Sequence, residues 1–109
     1  MKPQEYLAEQ LAQARRAFQA QLGEAALCQV SKEGRITGGL KYAEGRLVAL
    51  RNLEKRLQLG EAAEQAGHAE RALWQTIYGQ HTAQTWRAYA QGGLDACANF
   101  LKALDQAQV

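Results

Sequence analysis

The side chains of this 109-residue chain whose types could do chemistry are few: two histidines, two cysteines and one run of basic residues. Glu64 and His68 share a helical face, with Glu61 a turn earlier. A carboxylate-bridged metal centre in a helical bundle needs Glu-x-x-His pairs on facing helices. Here the spacing is four and there is no second copy, so the sequence predicts a solvated face and no metal. Cys28 and Cys97 have no histidine at a motif spacing, and a nucleophilic thiol needs a lowered pKa and a positioned base. Both read as core. The stretch "GRITGG" carries glycines but neither a Walker lysine nor a GxGxxG pattern. Trp74, Tyr78, Trp86 and Tyr89 surround "GQHT" and read as anchors for the junction of two helices rather than as a pocket. No catalytic residue, cofactor or small-molecule ligand is expected.

The basic run is the most suggestive polar feature. Residues 32–56 hold seven Lys or Arg against three Glu, although the whole chain carries only +2. On a helical wheel Lys41, Arg51, Lys55 and Arg56 share an outward half, where a basic helix can track phosphates. No aromatic residues interleave with these charges, and a charge run on an amphipathic helix is usually solvated. Nucleic-acid binding through this face is therefore the second reading.

The elements that must position these residues are helical. Alanine (21), leucine (14) and glutamine (14) dominate, whereas valine (three) and isoleucine (two) are scarce, a balance that favours helix over strand. Leu7, Leu11, Ala14, Phe18 and Leu22 form one stripe, and the periodicity predicts helices over about 4–22, 38–59, 61–78 and 83–106 in a single domain, 1–109. In the third, Ala66, Ala69, Leu73 and Ile77 fall in line. In the fourth, Trp86, Ala90, Leu94, Cys97, Leu101 and Leu104 do. Residues 27–37 are ambiguous: either the first helix continues as far as Val30, or "LCQV" and "RIT" flank a turn in a short β-hairpin.

Two of these helices repeat one another. "YAEGRLVALRNLEKRL" (42–57) and "YAQGGLDACANFLKAL" (89–104) share Tyr, Ala, Gly, Leu, Ala, Asn, Lys and Leu in register. Shared apolar positions would be ordinary for any two amphipathic helices. Tyr42, Gly45, Ala49 and Asn52, repeated as Tyr89, Gly92, Ala96 and Asn99, lie on the flank of the apolar arc. Glycine inside a helix costs about 0.5–1 kcal/mol relative to alanine, so two at equivalent positions suggest a common cause. Gly-x-x-x-Ala lets another backbone approach, and the asparagine a turn later can hydrogen-bond across the contact. Either these two helices cross at their glycines about a pseudo-twofold axis, or each presents the same face to another subunit. Arg46 and Glu54 fall within or beside the apolar arc where the repeat has Gly93 and Leu101, so they are expected to pair with each other or a partner, or to mark a less buried helix.

The fold expected is all-α: two helical hairpins related by an internal repeat. The function expected is that of a small, self-associating accessory, adaptor or regulatory protein, of the kind a phage or other mobile element encodes. It would be non-catalytic and bind protein in preference to nucleic acid. No apolar run approaches the roughly 20 residues of a membrane span. The N-terminus lacks a signal-peptide core, and two isolated cysteines suit a reduced, cytoplasmic setting.

Overall fold

The computed structural model describes the backbone of residues 1–32 and 38–107 and the side chains of residues 1–23 and 39–106. Four helices follow in order: α1 (Pro3–Lys32), α2 (Gly38–Gln58), α3 (Ala63–Gln80) and α4 (Gln84–Ala107). No strand occurs among the described residues. The all-α class read from composition is the class observed, in a bundle of 49 × 28 × 25 Å.

Two boundaries differ from the periodicity. Helix α1 passes through Gly23 and continues to Lys32, so "LCQV" is helical and forms no hairpin strand. A side chain added at Gly23 would meet nothing within 4 Å. This glycine sits on an open helix surface flanked by good helix formers, and its modest propensity cost does not outweigh theirs. The "RIT" half of that alternative lies outside the described residues. Helix α3 likewise runs through Gly79 to Gln80. By contrast, Gly60 ends its helix: it adopts φ +94° and its N–H donates to the Leu57 carbonyl, turning the chain from α2 into α3.

The helices pair as α1 with α2 and α3 with α4, and the most extensive packing of all joins α2 to α4 across the two hairpins. The core lies on that contact. Leu47, Ala49, Leu50 and Leu53 of α2 meet Ala90, Ala96, Cys97 and Phe100 of α4, closed by Leu7, Leu11 and Ala14 of α1 and Ala66 and Trp74 of α3. Leu7, Leu11 and Ala14 are buried, but Phe18 is half-buried and Leu22 exposed. The Gln21 side chain packs over Gly39, at the very start of α2.

Helix α3 buries a face different from the one its apolar spacing predicts. Ala66, Gly67, Glu70 and Trp74 are inside, while Ala69 and Leu73 face solvent. Trp74 fixes the rotation. Its ring lies against Gly93 of α4 so tightly that any side chain at 93 would overlap it. Burying so large an aromatic outweighs the exposure of one leucine, since full burial contributes about 1.5–3 kcal/mol for a leucine and more for a larger ring. On α4, Trp86 is also exposed rather than part of the buried stripe.

Candidate functional site

Helices α2 and α4 cross at their repeated glycines. A Cβ at Gly45 would overlap the carbonyl oxygen of Tyr89, and a Cβ at Gly92 would overlap the carbonyl oxygen of Tyr42. The relation is reciprocal: the glycine of each repeat takes the tyrosine backbone of the other, as a pseudo-twofold axis requires. Ala49 and Ala96, one turn on, are 0% and 1% exposed. Of the two arrangements read from the sequence, the intramolecular crossing is the one seen, and it uses both small-residue faces within one chain.

The symmetry stops at the other repeated residues. Tyr42 donates a 2.5 Å hydrogen bond to Asp95, which also accepts from Gln91 at 2.7 Å. Burial, then the hydrogen bond and the charge of Asp95, push the Tyr42 phenol up to about 12. Tyr89 instead joins an aromatic stack with Trp74 (5.0 Å) and Trp86 (5.7 Å), with His81 against Trp86 at 5.5 Å. Of the rings around "GQHT", Trp74, Tyr89 and Trp86 thus pack on one another, while Tyr78 lies against the Arg87 guanidinium at 4.4 Å. Asn52 hydrogen-bonds across a helix contact, but to Glu70 of α3, whereas Asn99 is exposed.

That bond belongs to a buried polar cluster the spacing did not reveal. Glu70 is 2% exposed and accepts from Asn52 Nδ2 (2.8 Å), Arg56 Nε (2.9 Å) and Trp74 Nε1 (2.9 Å). Arg56 reaches on to Glu61 at 3.1 Å. Three donors, one of them cationic, are what a buried carboxylate needs. The signal in the sequence was Glu70 four before Trp74 on a face made of small residues, opposite a helix carrying Asn52 and Arg56 four apart. Cys97 lies within the field of Glu70, and burial first, then that charge, push its thiol up to about 12. It is held as an unreactive thiol in the core.

The four basic residues do not form one free surface. Lys41 is half-buried, 4.8 Å from the Trp86 ring and 3.3 Å from Glu44, and Arg56 is committed to Glu70 and Glu61. Only Arg51 and Lys55 are exposed. Arg46 and Glu54 form no pair with each other. Arg46 donates to Gln10 at 3.1 Å, its Nε is buried without a partner, and Glu54 is half-buried.

Arg51 faces a different feature, a groove of about 440 Å³ between α1 and α2. Its apolar lining is Phe18, Leu22, Leu47 and Val48, and Arg15 and Arg51 stand on its two walls. Glu44 also lines it, with its carboxylate already held by Lys41. Both arginines are exposed, and neither has an anionic partner among the described residues. The Glu64–His68 pair is an exposed neighbour contact at 4.0 Å, and no group of three metal-ligating side chains occurs among the described residues. No described helix is long and apolar enough to cross a membrane. No protein-family model matches the sequence, and neither curated proteins nor solved structures give a match.

Proposed function

We propose that the chain is a non-catalytic interaction protein of the accessory or adaptor class, working in the cytoplasm by holding a partner in the α1–α2 groove. One observation carries this reading: apolar side chains line an open groove whose two walls each present an arginine with no anionic partner among the described residues. Buried titratable groups have structural work to do. Glu70 ties α2 to α3, and Cys97 fills the core under α4. Self-association, expected from the repeated small-residue face, loses that warrant, because both glycines are used within the chain.

Affinity capture from nuclease-treated extract tests the reading. The wild-type chain should retain a protein stoichiometrically, and a Leu22→Asp, Arg51→Glu variant of unchanged helicity should lose it. Equal retention by both chains would remove the groove from the function. The second reading, nucleic-acid binding, is favoured by exposed Arg15, Arg16, Arg51 and Lys55. It requires affinity for DNA or RNA that falls steeply with salt.

A further inference from the structure

We infer that the groove between α1 and α2 takes an acidic amphipathic helix of a partner protein, a conclusion that rests on the interaction-protein reading above. The apolar lining comes from two antiparallel helices, and a third helix laid between them would pack ridges into their grooves at about 8–10 Å. A helix enters such a site by apolar anchors one and two turns apart. Arg15 and Arg51 then stand beside its flanking positions, one on each side, and both lack an anion among the described residues. Carboxylates there would gain charge-assisted hydrogen bonds at the rim of an apolar contact.

The same charges argue against a second copy as the occupant. A twofold-related copy would bring one arginine-rimmed groove against another. A head-to-tail copy would need an exposed, acidic, apolar helix face on this chain. Among the described residues, the face around Leu59 and Leu73 mixes Glu61 and Glu64 with Lys55, Arg56 and Arg71. Phosphates would match the arginines but leave Phe18, Leu22 and Val48 unused.

Fluorescence anisotropy on the full chain tests the inference, with two labelled helical peptides of about 16 residues sharing one leucine face at i, i+3, i+4 and i+7. One carries Glu at the flanking positions, the other Lys. The Glu peptide should bind about tenfold or more tighter than the Lys peptide, with the difference shrinking in salt. Leu22→Asp should abolish binding, and Arg51→Glu should erase or invert the preference; both positions are exposed, and circular dichroism checks that helicity is kept. Equal binding, or a preference for the Lys peptide, with Leu22→Asp still damaging, would overturn the acidic partner and leave the groove reading standing. Binding of neither peptide would overturn the inference, and the interaction reading falls with it if the capture experiment also fails. Competition by duplex DNA, or dissociation of a wild-type oligomer by Leu22→Asp, would assign the groove to nucleic acid or to a second copy and overturn it too.

Discussion

A single added methyl distinguishes the chain's glycines. At Gly45 and Gly92 it would strike backbone carbonyl oxygens, which cannot swing aside as a side-chain end can, whereas at Gly23 it would meet nothing within 4 Å. Gly45→Ala and Gly92→Ala are therefore expected to destabilise by about 1–3 kcal/mol through overpacking. Gly23→Ala should stabilise by up to about 1 kcal/mol through propensity and a stiffer unfolded chain. Urea melts of the three variants check this, and a stabilising Gly45→Ala would dismiss the close crossing. Glu70 belongs to the same scale. Glu70→Ala would leave Asn52 and the buried Trp74 indole without this acceptor and Arg56 with Glu61 alone, and each buried donor left unsatisfied costs about 1–3 kcal/mol. Glu70→Gln, which keeps the shape and one acceptor oxygen, should cost less by the same melts. Cys97 and Tyr42 set an alkaline limit. Both pKa values are raised on folding, from 9.0 and 10.0 to about 12, so the native state holds protons the unfolded chain has lost. Their contribution is complete below about pH 9 and is lost as pH rises from there through 12, each group adding up to about 1.4 kcal/mol per pH unit. Tyr42→Phe should flatten this fall above pH 10 in melts run from pH 8 to 11. An unchanged slope would show that the phenol feels no such burial.

At the scale of elements, the helices were legible wherever apolar periodicity and burial coincide. Leu47, Leu50 and Leu53 of α2 and Cys97 and Phe100 of α4 lie inside as their spacing implies. The crossing was legible because glycine is costly inside a helix, and two at matched positions point to a backbone that must come close. Helix α3 departs from its apolar spacing because hydrophobicity ranks Leu73 above Glu70, while its rotation is set by the fit of Trp74 against Gly93 and by three donors gathered on one carboxylate. Those partners come from α2 and α3 together, and one helix wheel cannot display them. The basic face of α2 departs from its wheel in the same way: Lys41 and Arg56 point outward on an isolated helix, yet α4 supplies Trp86, and α3 with its preceding turn supplies Glu70 and Glu61. The groove was not legible because it is a property of two helices, and the stripe through Phe18 and Leu22 reads as core on one of them. A consequence follows for α2. Arg51→Glu with Lys55→Glu changes only exposed charges and should alter stability by no more than about 0.5 kcal/mol, whereas Arg56→Glu should unfold the α2–α3 junction. Thermal melts of the two variants would separate a presented charge from a packed one, and similar losses would mean that Arg51 and Lys55 are also held.

For the whole molecule, the decisive contact is the one between hairpins. Each hairpin closes on itself, α1 on α2 and α3 on α4, but the α2–α4 crossing is the most extensive interface and carries most of the core. A hairpin alone would expose Leu47, Leu50 and Leu53, or Ala90, Ala96 and Phe100, on a face with no partner. Chains of about 50–60 residues stand near the limit at which one core suffices. The charge division points the same way. Residues 1–60 hold ten Lys or Arg against six Asp or Glu, and residues 61–109 hold three against five, so the halves attract. The α2–α3 turn is a suitable place to cut, because Leu59 and Gly60 are exposed and Gly60 is the one described glycine at positive φ. Fragments 1–60 and 61–109 should therefore each show weak, non-cooperative helicity alone. Mixed one to one, they should recover the helicity and cooperative melt of the intact chain, with a midpoint that rises with concentration as a bimolecular assembly requires. Gly45→Leu in the first fragment, or Gly92→Leu in the second, should block recovery by holding the crossing backbones apart, while Gly23→Ala should not. Cooperative folding of either fragment alone would show that its hairpin is a domain in its own right. Recovery that survives both leucine substitutions would mean that the halves recognise one another through something other than the glycine crossing.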